Sequence, residues 1–253
     1  MIGEINPDSV EHVIEAATDR PTGGDDQLTM TGPGKLNARG GDDVVHGSAG
    51  RDEIKGAAGA DTLSGRDGRD EVSGGAGDDL VYGGTGDDVV RGNGGDDILY
   101  GADAGLNFAD SGDDRLLGGG GDDLIFGGDG DDVLLGGKGA DELAGGEGDD
   151  VVRGQGGRDR LYAGADKDVL FGGGGRDLFH FSELSSGRNL VRDWKDGADR
   201  FQIDFEGVGF DDLQFDRKGD KTRVEIGETG VAFLVDGARP GAFDASDFLF
   251  SEG

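Results

Sequence analysis

Residues 74–100 read GGAGDDLVY GGTGDDVVR GNGGDDILY, three consecutive nonapeptides built on one pattern. Glycine stands first and fourth, aspartate sixth, and an aliphatic residue eighth. A fixed period of this kind constrains a fold more than composition does, because each unit must repeat one local structure and bury its apolar face on its neighbours. The sixth-position aspartates are Asp43, Asp52, Asp61, Asp70, Asp79, Asp88 and Asp97, and after one irregularity Asp114, Asp123, Asp132, Asp141, Asp150, Asp159, Asp168 and Asp177. The residue two places later is apolar in every unit: Val45, Ile54, Leu63, Val72, Val81, Val90, Leu99, Leu116, Ile125, Leu134, Leu143, Val152, Leu161, Leu170 and Phe179. A flexible Gly/Asp linker has no reason to hold this register.

The x-apolar-x triplet is long enough for a minimal strand, with its middle side chain on one face and its neighbours on the other. The glycine-rich remainder turns the chain. Two nonapeptides then close one flattened coil, and coils stack through backbone hydrogen bonds. Position four is glycine in every unit but one, where Asp166 stands; a left-handed turn residue there resists any other side chain.

The repeat resembles the GGxGxDxUx nonapeptide of the RTX (repeats-in-toxin) calcium-binding family, over about Ala38 to His180. The resemblance implies an all-β fold, a right-handed parallel β-roll with the eighth-position residues stacked inside. Fifteen units make about 7.5 coils, roughly 36 Å at about 4.8 Å per stacked strand. It also implies that the fifteen aspartates above are metal ligands. Stacking places Asp79 beside Asp97 and Asp70 beside Asp88, where like charges repel. Ca²⁺, which takes 6–8 oxygen ligands, relieves that repulsion, with backbone carbonyls of the turns completing the shell as in the family; Mg²⁺ demands tight octahedral geometry and holds its waters. The site of the Asp166 unit is the doubtful one.

Charge supports a metal partner. The chain has 55 acidic against 24 basic residues among 253, a net charge of −31. About a dozen Ca²⁺ ions would bring that to roughly −7, an ordinary value for a soluble domain. The balance excludes a nucleic-acid partner, which calls for a basic patch. With no cysteine and 56 glycines, neither disulfides nor a large aliphatic core staple the chain. No apolar run reaches spanning length, so stable membrane insertion is not expected. The sequence MIGEINPDSV lacks a basic and then apolar leader, which predicts secretion without a cleaved N-terminal signal peptide.

Three segments are expected. Residues 1–37 form an N-terminal lid with degenerate repeats; Val10, Val13, Ile14 and Ala17 at helical spacing behind Asp8 and Ser9 suggest a short capped helix. Gly24-Asp25-Asp26-Gln27-Leu28 reads as a degenerate repeat, and Leu36 as a further inward residue. Residues 38–180 are the roll, interrupted where 17 residues (101–117) occupy the space of one nonapeptide. This is either an eight-residue loop near 102–109, the favoured reading, or a degraded repeat with Phe108 inward. Residues 181–253 form a C-terminal β cap that buries Trp194. Its segment VRDWKDGADRF is similar to the I-x-D-F-x-x-G-x-D-x-I stretch that follows RTX arrays. The tail FDASDFLFSEG resembles the signals of type I secretion substrates, which implies an ABC-type exporter as partner.

No HExxH, GxSxG or P-loop occurs, and the three histidines form no triad. His46 and His180 fall at outward positions. The expectation is therefore no enzyme, but a secreted calcium-binding protein of structural or interaction type that folds on calcium after export. Two alternatives are a stand-alone non-catalytic module of a polysaccharide-modifying or other secreted enzyme, and a membrane-active signalling protein. The outward positions seven and nine add one feature beyond the repeat. Under the loop reading, Tyr82, Tyr100 and Phe126 share one face with Leu80, Ile98 and Leu124, and this face is a candidate surface for a glycan or protein. The other face carries Arg91, Arg115 and Arg153.

Overall fold

In a computed structural model of the chain, residues 11–14, 21–102, 112–182, 185 and 187–251 are described, with only the backbone path at 11–14. From Gln27–Met30 to Arg200–Asp204 successive strands alternate between two sheets, each of twelve strands among the described residues. Strand Leu80–Thr85 pairs in parallel with Thr62–Asp67 before it and Ile98–Tyr100 after it, while Val89–Gly94, between them in sequence, lies in the opposite sheet. Partners are 18 residues apart, as Val81 and Leu99 are. The nine-residue period thus becomes a half-turn, and two units make one coil of a parallel β-solenoid.

The core is the eighth-position column. All fifteen of those residues are fully buried, from Val45 to Phe179. Burying one such side chain contributes about 1.5–3 kcal/mol, so the interior is a thin line of aliphatic contacts between two sheets. The turns between strands carry most of the polar structure.

Across the irregularity the pairing offset grows from 18 to 26 residues, as in Leu99 with Ile125 and Val90 with Leu116. Eight residues are therefore accommodated without changing which sheet the next strand joins. Tyr82, Tyr100 and Phe126 lie on one face, their rings stacked at 5.1 Å with interplanar angles of 8° and 12°. Parity is therefore the same on both sides of the irregularity, and most of 102–109, where the loop or degraded repeat is expected, lies outside the described residues. On the opposite sheet Arg91 pairs with Glu71, and Arg153 sits over the Phe171 ring at 4.7 Å.

At the N-terminus the expected helix is not formed. Glu11–Ile14 is a strand, paired in parallel with Gln27–Met30. Two apolar residues, Val13 and Ile14, fit either period, and the open edge of a parallel sheet supplies backbone partners that an isolated helical turn lacks. Gln27–Met30 in turn pairs with Val44–His46, and Leu28 and Leu36 are buried, so stacking begins before Ala38.

Beyond residue 180 the same two sheets run on. Arg200–Asp204 and Phe248–Phe250 extend one in parallel. Asn189–Val191 and Ala232–Asp236 extend the other, which then changes to antiparallel through Lys221–Ile226 and Leu213–Lys218. Aromatic rings fill the widening end: Phe201 packs against Phe233, Phe248 and Trp194, and Trp194 stacks on Phe243 at 4.8 Å. These rings cover the apolar interior of the last coil, which would otherwise be an open end.

Candidate metal centre

Each sixth-position aspartate is placed by the strand that follows it. Its own backbone N–H donates to the Oδ1 of the aspartate one coil further on: Asp61 to Asp79 at 2.9 Å, Asp79 to Asp97 at 2.9 Å, Asp132 to Asp150 at 2.9 Å. Its carbonyl accepts from the residue opening the next strand of the same sheet, as Asp79 does from the N–H of Ile98 at 2.8 Å. The aspartates thus form two hydrogen-bonded ladders of carboxylates along the roll, one from alternate units, and each crosses the irregularity unbroken, through Asp88 to Asp114 in one and Asp97 to Asp123 in the other. All fifteen expected residues lie on these two ladders and all are buried.

The second oxygen decides what the ladders can bind. The Oδ2 atoms of Asp43, Asp61, Asp70, Asp79, Asp97, Asp123, Asp141, Asp150, Asp159, Asp168 and Asp177 are buried without a hydrogen-bond partner. Leaving one such acceptor unsatisfied costs about 1–3 kcal/mol, and more when it is charged. Asp52 differs, because its Oδ2 already accepts from the N–H and hydroxyl of Ser48 at 2.7 and 2.9 Å. Asp168, in the unit that carries Asp166, keeps an unpartnered Oδ2, and Asp166 itself takes the left-handed turn with φ of 69°.

In most units the Oδ2 lies against the glycine that opens the unit, whereas the units of Asp43 and Asp168 open with the buried alanines Ala38 and Ala163. A methyl group added at Gly118 would lie 2.2 Å from Asp123 Oδ2 and 2.6 Å from the carbonyl oxygen of Gly136, one coil on; at Gly127 the same two distances are 2.2 Å to Asp132 and 2.4 Å to Gly145. At these glycines carboxylate and carbonyl oxygens therefore converge on the space that the missing side chain leaves open. No three His, Asp or Glu side chains converge at one point among the described residues. A cation held here would take at most two carboxylates and fill its shell from turn carbonyls, an all-oxygen donor set that suits a hard ion with flexible coordination.

Burial sets the electrostatics. Loss of solvation raises the carboxyl pKa of Asp43, Asp70, Asp79, Asp123 and Asp141 to about 6, of Asp97, Asp159 and Asp168 to about 7, and of Asp150 to about 9. The ladder hydrogen bond opposes that rise, and neighbouring aspartates add to it. Perturbation of this kind, spread along one column, marks sites whose charge needs a cation.

Several participants escaped the reading of the sequence. One ladder begins earlier, where Asp26 donates to Asp43, and both end later, where Asp168 donates to the Asn189 amide oxygen and Asp177 to Asp199. Asp199 sits in DGADRF, which carries the G-x-D-x-U half of the repeat and was the available signal. Asp193 in the same segment accepts from the N–H groups of Gly172 and Gly173. The fifth-position aspartates form further, exposed ladders of opposite sense: Asp96 donates to Asp78, and Asp122 donates to Asp96. His180 is not simply outward, since its Nε2 lies 2.6 Å from Asp204 Oδ2 and its ring leans on Tyr162.

The profile of the RTX calcium-binding nonapeptide repeat matches the chain four times, over residues 37–72, 73–103, 108–143 and 144–179. The chain belongs to the RTX calcium-binding repeat family. Its repeats are calcium-binding β-roll units, and proteins that carry them are secreted. No curated protein matches the chain. Among solved structures, the extracellular lipase LipA from Serratia marcescens is similar at 20% identity, over 87% of this chain and 40% of the lipase, with a TM-score of 0.36. The chain thus spans less than half of that protein's length. Among the described residues, no helix is long and apolar enough to cross a membrane.

Proposed function

We propose that the chain is a secreted RTX protein of structural or interaction type, whose aspartate ladders take up calcium and whose roll folds as the ions bind. The buried, unpartnered Oδ2 atoms facing turn carbonyls carry this reading. Ca²⁺ bound there neutralises the column and links successive coils. The chain supplies the ladder that fixes each carboxylate and the glycines that leave the gap open. Asp43, Asp61, Asp70, Asp79, Asp88, Asp97, Asp114, Asp123, Asp132, Asp141, Asp150, Asp159, Asp168 and Asp177 are the proposed ligands, with Asp52 the weakest because Ser48 already occupies it. Extracellular calcium modules bind at about 10⁻⁴–10⁻³ M, so a chain tuned to that range stays open in a low-calcium cytosol and closes outside.

Export by a type I system through the C-terminal tail belongs to the same proposal. The tail is also structural, since Phe248 is buried against Phe201. Two variants separate the roles in a host with a matching exporter. Deleting 244–253 should hold the protein inside the cell, whereas Phe233→Ala, which loosens the cap where Phe233 packs on Phe201 and leaves the tail intact, should still be exported. Secretion of the deletion at the full-length level removes the tail from the signal. For the site, calorimetric titration of the full chain should show uptake of several Ca²⁺ per molecule and negligible Mg²⁺ uptake; equal response to both ions would reject it.

A further inference from the structure

The ninth-position residues of one sheet form a column on its outer face: Tyr82, Tyr100, Phe126, Ala144, Tyr162 and His180 are successive pairing partners. Five of the six are rings, and Ala144 interrupts them. Above the gap, the rings of Tyr100 and Phe126 stack at 5.1 Å; below it, Tyr162 and His180 lie 4.5 Å apart. Two steps of 5.1 Å across Ala144 leave about 10 Å between the Phe126 and Tyr162 rungs, room for one inserted ring about 5 Å from each neighbour, within the usual range of ring contacts. The gap opens into a groove of about 590 Å³ between Phe126 and His180, with Asp129, Glu142 and Glu147 on its rim.

We propose that this notch binds one pyranose ring of a polysaccharide that carries free amino groups. A pyranose presents C–H faces to the Phe126 and Tyr162 rings, whose faces carry partial negative charge. Its hydroxyls and amine project sideways to the carboxylates of the rim. An ammonium group is favoured by Asp129 and Glu147, since Glu142 already has Arg160 beside it at 3.9 Å, by the aromatic faces and by the chain's net charge of −31, which repels acidic glycans. His180 is held beside Tyr162 by Asp204 and sets the far wall. The proposal rests on the calcium-loaded roll described above.

The test is calorimetric titration of the full chain in millimolar Ca²⁺, after its β spectrum has been verified, with a glucosamine hexamer, its fully N-acetylated counterpart and a hexuronate oligomer. The expected order is glucosamine first, the acetylated oligomer about tenfold weaker, and no binding of the uronate. Ala144→Tyr, which completes the ladder, should abolish binding with calcium-induced folding retained, while Ala144→Ser should bind as the parent does. Phe126→Leu should weaken binding about fivefold to tenfold, and serves if Ala144→Tyr fails to fold. A folded chain that ignores the glucosamine hexamer, prefers uronate, or binds equally with Ala144→Tyr overturns the notch. A chain that does not fold in calcium overturns the earlier reading instead.

Discussion

Gly92 and Gly94 share a turn, and alanine should have opposite effects at the two. A Cβ at Gly92 would lie 2.0 Å from Oδ2, 2.6 Å from Cγ and 2.8 Å from Cβ of Asp97. The overlap involves the whole carboxylate, so Asp97 must move, and its Oδ1 then gives up the 2.9 Å bond from the Asp79 N–H. A hydrogen bond to a charged group contributes about 1.5–3 kcal/mol, and overpacking costs about 1–3 kcal/mol. A loss of about 3 kcal/mol lowers the melting midpoint of a domain this size by about 6–12 °C. At Gly94 the nearest atom to an added Cβ is the Gly75 carbonyl oxygen at 3.9 Å, so Gly94→Ala should be neutral or gain about 0.4–1 kcal/mol by restricting the unfolded chain. Differential scanning calorimetry in saturating Ca²⁺ reads both, and calcium titration should show a raised midpoint for Gly92→Ala alone. Equal melting temperatures and calcium midpoints for the two variants would refute the cradle.

Acid should substitute for calcium in part. Burial raises the carboxyl pKa of Asp97 to about 7 and of Asp150 to about 9 from 3.8, so the folded state holds protons that the unfolded state releases. In chelator this stabilisation is complete below about pH 4 and is lost as pH rises through about 6–9, so circular dichroism should show more β-structure at pH 4 than at pH 7.5; a flat profile counts against it. Asp150→Asn removes a fully buried carboxyl that must take up a proton when the metal-free chain folds, and should stabilise the chelated chain at pH 7.5 while raising the calcium midpoint, read by the same spectra. Phe248→Ala empties a buried ring position in the cap and should cost about 3–5 kcal/mol in urea melts, with calcium uptake by the array retained.

What the sequence made legible follows from the repeat. A side chain buried once every nine residues can be satisfied by few architectures, so the apolar column from Val45 to Phe179 announced two stacked sheets. Parity placed Tyr82, Tyr100 and Phe126 together without any knowledge of the inserted residues. What stayed hidden depends on backbone partners, which spacing does not specify. The opposite senses of the fifth- and sixth-position aspartate ladders arise from turn geometry, and nothing in a string of D-D pairs distinguishes them. Position two takes the left-handed region even at Arg39, Ala57, Arg66, Asn93 and Gln155, because stacking on the previous coil compensates a backbone that these residues resist alone. Ile14 and its neighbours carry no preference strong enough to outweigh an open sheet edge. The tail FDASDFLFSEG could be read as a signal; its second role, a strand closing the aromatic end of the roll, needed Phe201 beside Phe248.

The decisive measurement is far-ultraviolet circular dichroism of the full chain with proteolysis in parallel, in chelator and then across a Ca²⁺ titration at pH 7.5. Ordering the backbone costs about 1–2 kcal/mol per residue, and one buried aliphatic side chain in nine residues does not offset it, so cation binding must complete the fold. The expected result is a coil-like, protease-sensitive chain in chelator, a cooperative change to protected β-structure near millimolar Ca²⁺, and little response to Mg²⁺. The same β spectrum and the same protection of residues 38–180 in excess chelator would contradict calcium-driven folding outright.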